Sequence, residues 1–529
     1  MSKKRRIKLL VSMFAVSLAA TTMLAACGGK PSSNTSGDGG GGQSTAPKQL
    51  SILLSHANAK YAMQVKNDDR YIKELSRLSG YNLSFEFLGH GNDFIQQMTV
   101  RFASGDLPDL IRTDSIDSTM HPGALEKGVF ADLTELIDKY GPNLKAKIPA
   151  EAWKSPRVSK DGKIYGIPTL SALPASRVVY IRQDWLDKLN MKTPKTIDDF
   201  LAFFEAVKKE DVNGNGDPND EYGFYVRENL IYSNLFFNQF GYEPGTWYYI
   251  DGKLQPGMIQ PEMKDAIKFW KMLYDKGYIN PNLFTNKASD WEAGIKQGKG
   301  GMWMHDVTNY NTNWGLPEFY TNEKNAKVSM IDAPQGPKGG ALSPESDQIY
   351  FVWVVPAKNG KAEDVVKFLN WAWSDEAEEF FALGIKDYNY KVVDGKPVWD
   401  MNDPANKEND ASVFYQLSIN PRGDGRMLPK LLEVIPNSEA IKAGIETAKR
   451  NVYKNDGLHM PTLETLKTHP ELVPGTNAGT LFLDMFAKVV TGKEDVDSAF
   501  DNFVNEWKRR GGDKAIEEAT NWYNDFHKK

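Results

Sequence analysis

The sequence predicts an α/β fold of mostly parallel sheets flanked by helices. Three observations carry that expectation: short apolar runs of strand length, amphipathic stretches at helical spacing between them, and a glycine closing each helical stretch. Leu50 to Leu54 is a largely apolar run suited to a buried strand. Tyr71, Ile72, Leu75 and Leu78 then recur on one helical face, and Gly80 supplies the stop. Leu83, Phe85 and Phe87 alternate as a half-buried strand does. Phe94, Ile95, Met98 and Phe102 make a second amphipathic helix closed by Gly105, and Leu107 to Ile111 is the next strand. A strand–helix–strand–helix–strand order implies parallel pairing through crossover helices.

The same pattern continues downstream. Val178 to Ile181 reads as a strand. Thr196 with Asp199 forms a capping box that opens a helix through Phe200, Leu201, Phe204 and Val207. Pro261 opens a helix bearing Ile267, Trp270, Leu273 and Tyr274, ended by Gly277. Gly301 to Met304 and Ile349 to Val355 are further strands, and the last third of the chain is helical. Trp185, Trp270, Trp353, Trp371 and Trp373 fall at positions expected to pack in the core.

With 529 residues, 41% hydrophobic and 25% charged, the chain is a large soluble protein with more than one packing unit. Its single Cys excludes an intrachain disulfide framework and any multi-Cys metal site. A net charge of −5 offers no basic surface for nucleic acid. The N-terminus is different. Lys3, Lys4, Arg5, Arg6 and Lys8 precede an uncharged run from Leu9 to Ala26, and Leu24-Ala25-Ala26 leads into Cys27. A basic anchor, an apolar run and small residues before the cut make residues 1–26 a secretory signal, with a retained transmembrane anchor as the competing reading. Residues 28–48 are mainly Gly, Ser, Thr and Pro, too polar to order themselves, and form a tether reaching roughly 25 Å.

Motifs of catalysis are missing: there is no H-E-x-x-H, no phosphate loop and no G-x-S-x-G, and the seven His are scattered singly. The most specific internal signal is the loop Asp211-Val-Asn-Gly-Asn-Gly-Asp-Pro-Asn-Asp-Glu221. Oxygen ligands alternate there at positions one, three and five, with Gly at six, which is how a hard cation is wrapped. Asp211, Asn213, Asn215, the Asp217 carbonyl, Asp220 and Glu221 are the candidate ligands of a structural Ca2+. Glu221 falls one place short of the bidentate position of a standard EF-hand, and an ordinary Asn-Gly turn is the competing reading.

Several segments resemble the family 1 extracellular solute-binding lipoproteins of bacterial ABC importers, in the subgroup akin to LplA and the alginate-oligosaccharide binders. They are Leu24-Ala-Ala-Cys27, Gly105-Asp-Leu-Pro-Asp109, Gly128-Val-Phe-Ala-Asp-Leu-Thr134, Asp161-Gly-Lys-Ile-Tyr-Gly-Ile-Pro168 and Ile181-Arg-Gln-Asp-Trp-Leu-Asp-Lys-Leu189. Thr193-Pro-Lys-Thr196, the calcium-like loop, Trp507-Lys-Arg-Arg-Gly-Gly512 and Asn521-Trp-Tyr-Asn524 continue the series in the family's order. The resemblance implies a lipidated Cys27, on the outer face of a bacterial cytoplasmic membrane of Gram-positive type. It also implies a two-lobed, hinged periplasmic-binding-protein-like fold of type II. The first lobe takes residues 49–178 and 349–400, the second 179–348 and 401–529, after a lipidated linker at 27–48. The implied function is a monomeric, non-catalytic binding protein that holds an oligosaccharide between the lobes and passes it to ABC permease subunits. An exported polysaccharide hydrolase and a ligand-binding sensor subunit are the alternatives.

In open α/β sheets ligands sit beyond the carboxyl ends of the strands. That rule selects His56, Thr113, Asp114, His305 and Asp306. Tyr232 lies where the family places a stacking aromatic, and Trp153 and Trp314 sit in polar loop contexts.

Overall fold

A computed structural model describes residues 47–57, 60–171, 175–217, 219–311, 319–320, 322–346, 349–400, 403–407, 410–418, 432–435 and 437–527. All of these fall in one compact unit, Pro47–Lys529. The signal segment 1–26, Cys27, the tether up to residue 46 and Trp314 lie outside the described residues.

Two sheets organise the unit. The first contains β1 (Gln49–Ser55), β2 (Asn82–Leu88), β3 (Leu110–Thr113) and β4 (Gly166–Leu170). The second contains β5 (Arg177–Arg182), β6 (Tyr222–Phe224), β7 (Gly300–Asp306) and β8 (Val328–Ile331); β9 (Ile349–Val354) then returns to the first. The orders are β2-β1-β3-β9-β4 and β8-β5-β7-β6. The opening strands pair in parallel, β2 with β1 and β1 with β3, as their crossover helices require. Strands that arrive from the other sheet need no such helix. Accordingly β9 runs antiparallel to β3 and β4, and β5 runs antiparallel to β7 and β8.

Local chemistry explains the element ends. Helix Arg70–Ser79 starts where Asp69 accepts from the Tyr71 amide and stops at Gly80, whose φ of 73° is left-handed. The Thr196–Asp199 capping box is formed in full at the head of helix Ile197–Lys209. Near the C-terminus, helices Val496–Trp507 and Asp513–His527 are joined by a wide turn through Lys508–Gly512. Gly512 is required there, since a Cβ would sit 2.1 Å from the Trp507 ring. That indole is fully buried and donates to the Leu472 carbonyl at 2.8 Å.

The core forms two continuous apolar clusters, and the second sheet divides them. Val178, Tyr180 and Trp303 on one of its faces join the cluster that packs the first sheet. Val179, Ile181, Met302 and Met304 on the other face join the C-terminal helices. Trp185, Trp270, Trp353 and Trp373 are buried as expected, while Trp371 is half-buried. Segment Asp410–Leu417, expected with the second lobe, packs on the first sheet. Gln416 donates to the Ser55 carbonyl at 2.9 Å and its own carbonyl accepts from the Trp353 indole at 3.0 Å. Phe414 meets Phe85 edge-on, so an apolar surface on the first sheet recruits this segment.

The chain passes between sheets three times: from β4 to β5, from β8 to β9, and after Leu417 toward helix Ser438–Arg450. The short strand Ser343–Pro344, on the second crossing, pairs with Val452–Tyr453, which follows helix Ser438–Arg450. Leu170 and Arg177 are so close in sequence that the edges they occupy stand within about 25 Å of each other.

Candidate functional site

The carboxyl end of β7 is the best-built part of that shared edge. His305 and Asp306 close the strand and are both largely buried. Asp306 Oδ1 accepts from Ser176 Oγ at 2.6 Å and Oδ2 from the Tyr232 hydroxyl at 2.9 Å. Its carbonyl takes the Tyr180 hydroxyl at 2.8 Å. Burial opposes the charge on Asp306, yet His305, Arg177 and these hydroxyl donors together hold its pKa below the usual carboxylate range. His305 is pushed the other way. Burial lowers its pKa to about 4, against the pull of Asp306 and with help from the Arg177 and Arg227 charges.

The aromatic component is stacked. The Tyr232 ring lies 4.1 Å from the His305 ring at an interplanar angle of 17°, with the fully buried Trp291 behind them, 5.8 Å from His305. Trp291 is fixed by its indole bond to the Tyr225 carbonyl at 3.0 Å. Tyr232 reaches this position through unusual backbone. Asn229, Leu230, Tyr232 and Phe236 all have positive φ, a conformation costing about 1–3 kcal/mol for each non-glycine residue. The bond from the Arg227 amide to Ser233 Oγ, 3.0 Å, helps to hold the segment.

Behind the stack runs a polar chain. Arg177 Nη1 donates to Asn234 Oδ1 at 2.9 Å, and Asn234 Nδ2 donates to Glu243 Oε1 at 2.9 Å. Burial raises the Glu243 pKa to about 7, with Asn234 and Arg177 opposing.

On the first sheet the candidates are dispersed. The Thr113 side chain is buried and faces inward, its hydroxyl 2.9 Å from His121 Nε2. Asp114 is exposed, and its carbonyl accepts from Arg157 Nε at 2.9 Å. His56 is half-buried, its amide bonded to the Leu88 carbonyl. Trp153 is half-buried against the first core cluster. Tyr232, His305 and Asp306 therefore come together, whereas Thr113 turns away from the edge and Asp306 has committed both its oxygens internally. The sequence reading missed Arg177, Arg227 and Trp291. Arg177 was findable: a strand entering antiparallel presents its first residue to the same edge.

The Asp211–Glu221 loop lies apart from this edge. Asp211 Oδ1 accepts from the Gly214 and Asn215 amides and Oδ2 from Gly216. Asn213 and Asn215 cap the next turns. Glu221 is 1% exposed; its Oε1 accepts from the Asn213 amide, and its Oε2 is buried with no hydrogen-bond partner among the described residues. No three His, Cys, Asp or Glu side chains among the described residues are grouped to hold a metal by themselves, so any cation here also needs amide and carbonyl oxygens.

Comparison with known proteins identifies this architecture. The profile described as bacterial extracellular solute-binding protein matches residues 69–379. The chain belongs to that family. Over 98% of both chains it is 26% identical to the polygalacturonan/rhamnogalacturonan-binding protein YtcQ of Bacillus subtilis. Among solved structures, the alginate-binding protein AlgQ2 without calcium ion aligns with a TM-score of 0.66 and 21% identity, over 90% of this chain and 98% of AlgQ2. An EF-hand mutant of FusA, a Streptococcus pneumoniae ABC-transporter substrate-binding protein in complex with fructo-nystose, aligns with a TM-score of 0.67 and 19% identity, over 91% and 99% of the two chains. The fold is thus the two-lobed type II fold of solute-binding proteins. Asp117, in the loop after β3, and Lys467 of the C-terminal region pair across the molecule at 3.4 Å.

Proposed function

We propose that this protein is the lipid-anchored binding subunit of an ABC importer, taking an oligosaccharide into the interlobe cleft and handing it to permease subunits without chemical change. The observation that carries the proposal is the Tyr232–His305 stack fixed by Asp306 at the cleft edge. An aromatic face held by a buried carboxylate suits the apolar face of a sugar ring, and polar groups around it suit hydroxyls. Since each lobe supplies part of the contacts, ligand favours the closed arrangement, and the three crossings are the hinge. The permease reads closure. Cys27, at the end of its small-residue run, carries the lipid, and residues 28–48 give the folded unit its reach.

The loop fits a structural Ca2+. Asp211, Asn213, Asn215, the Asp217 carbonyl, Asp220 and Glu221 would hold it, and the buried, unpartnered Glu221 oxygen is what a divalent ion would satisfy. The ion would fix the connection between helix Ile197–Lys209 and β6. At a hundredfold excess over its dissociation constant it stabilises the protein by about 2.7 kcal/mol. A chelator should lower the melting temperature, calcium should restore it, and Asp211→Ala should abolish the response. No shift on adding calcium to the chelated protein would mean the loop is a plain turn.

Calorimetry and thermal shift against an oligosaccharide panel test the importer reading. A binder that contracts the particle in small-angle scattering and is recovered intact is the expected result. Turnover of the sugar would make the protein a hydrolase instead.

A further inference from the structure

We propose that a cavity beside β3 on the first sheet is a second ligand site, built for a small hydroxylated organic acid with an apolar body. It does not depend on the oligosaccharide reading, because its rim lies at the end of the sheet opposite Thr113 and Asp114. Gly105 and Leu107, in its lining, lead into β3, and Lys358 follows β9, which runs antiparallel to β3. All three therefore stand where β3 begins, whereas Thr113 and Asp114 stand where it ends.

The cavity measures about 480 Å³ and lies between helix Asn92–Ser104, the loop that follows β3 and Lys358. Small-molecule sites span roughly 300–1,000 Å³. Phe102, Leu107, Met120, Ala124 and Val129 give it apolar walls. Backbone bonds fix those walls: the Val129 amide donates to the Ala124 carbonyl at 3.0 Å, and the Ala357 amide to the Val129 carbonyl at 2.9 Å. At about 30 Å³ per non-hydrogen atom, water's share of its own liquid, the space takes a body of about ten to fifteen atoms.

One polar atom in the lining has nothing to bond. His121 is 2% exposed, and its Nε2 lies 2.9 Å from Thr113 Oγ1. Its Nδ1 is buried with no hydrogen-bond partner among the described residues. The rings of Phe102 and Phe130, 4.7 and 5.1 Å away, hold the imidazole in place. Burial lowers the His121 pKa, so the ring is neutral, with one donor and one acceptor nitrogen. A buried nitrogen left unpaired is costly, and such a group calls for a partner. A hydroxyl both donates and accepts, so a ligand hydroxyl answers Nδ1 in either tautomer.

The rim supplies charge. The Val129–Ala357 bond brings Lys127 and Lys358 to the same side of the cavity, and both are exposed. Lys358 Nζ donates to the Gly105 carbonyl, a neutral acceptor. The acids next to the lining in sequence pair elsewhere: Asp106 with Arg101 at 2.7 Å and Glu126 with Lys160 at 2.9 Å. Two ammonium groups at the mouth of an apolar cavity suit a carboxylate that keeps its head in water while its body is buried. A hydroxyl at the far end of that body then reaches the imidazole.

The test uses the whole folded protein in calorimetry and thermal shift. The probes are para-hydroxycinnamate, its methyl ester, which loses the charge, and cinnamate, which loses the hydroxyl. Omega-hydroxydecanoate and decanoate repeat the comparison on a flexible body. The expected result is a hydroxy acid bound at least fivefold more tightly than its ester or its hydroxyl-free analogue, with the ester gap narrowing as salt rises. Lys127→Gln combined with Lys358→Gln should bring the acid down to the affinity of the ester, and the matching pair of Arg substitutions should keep the preference. Ala124→Met fills the cavity and should abolish binding. Melting temperatures show whether that variant folds; if it does not, the two exposed lysines decide. A panel with no binder, a hydroxy acid bound no better than its ester or its hydroxyl-free analogue, or unchanged affinity in the lysine variant overturns the proposal. Binding that survives in a folded Ala124→Met also overturns it, since the acid then sits elsewhere.

Discussion

The two sheets finish their neighbouring edges differently. On the second sheet, Tyr232, His305, Asp306, Arg177 and Trp291 lock one another in place, with every oxygen of Asp306 in use. On the first, Asp114 is exposed, Thr113 turns inward to His121, and His56 stands beside the strand end. On the proposed function, one side is built in advance of the ligand and the other is completed by closure. Preorganised groups give up little entropy on binding, whereas mobile ones discriminate through the closed state alone.

The largest expected difference concerns the two aspartates. Asp306→Ala removes a buried carboxylate that serves two donors, Ser176 and Tyr232, and should destabilise the protein by about 3 kcal/mol in urea unfolding. Asp114→Ala should stay within about 0.5 kcal/mol, as surface changes do. Similar costs for the two would erase the contrast between the lobes.

A second test sharpens it through pH. His305 has a folded pKa of about 4 against an ordinary 6.5, so its neutral form stabilises the fold fully above pH 6.5 and that stability is lost as pH falls toward 4. Glu243 runs the opposite way, from 4.5 to about 7, so its contribution is present below pH 4.5 and is lost as pH rises through 7. Each amounts to about 3 kcal/mol. Between pH 4.5 and 6.5 the two slopes offset each other. The cost of His305→Gln should therefore shrink on acidification while that of Glu243→Gln grows, and parallel pH profiles would refute the pairing.

The smallest effect lies at the pair of Asp117 and Lys467. Breaking the partly exposed pair of Asp117 and Lys467 by Asp117→Asn should cost at most about 1 kcal/mol and vanish in high salt. A larger, salt-independent loss would show the loop after β3 to be as firmly held as the end of β7.

Much of this was legible in the sequence where local chemistry decides. The Asp69 and Gly80 ends, the Thr196–Asp199 box and the early parallel strands follow from spacing alone. His305, Asp306 and Tyr232 were reachable because strand ends and family order point to them. What escaped depends on partners far along the chain. No pattern near residue 227 shows that β6 will lie beside β7, and nothing near residue 416 shows that Gln416 will bond to Ser55. Asp306 was expected to meet sugar hydroxyls, but the residues that occupy its oxygens lie 130 and 74 positions away.

The place of β9 has a consequence for how the chain is made. It lies between β3 and β4, yet β4 ends at residue 170 and β9 begins at residue 349. A polypeptide leaving the ribosome at about 5–20 residues per second therefore shows an uncapped β3 edge for roughly ten to forty seconds before its neighbour exists. Unpaired strand edges recruit other chains, and contacts this distant close slowly. The first third of the molecule must therefore wait as an unfinished sheet until the strand at residues 349–354 is made.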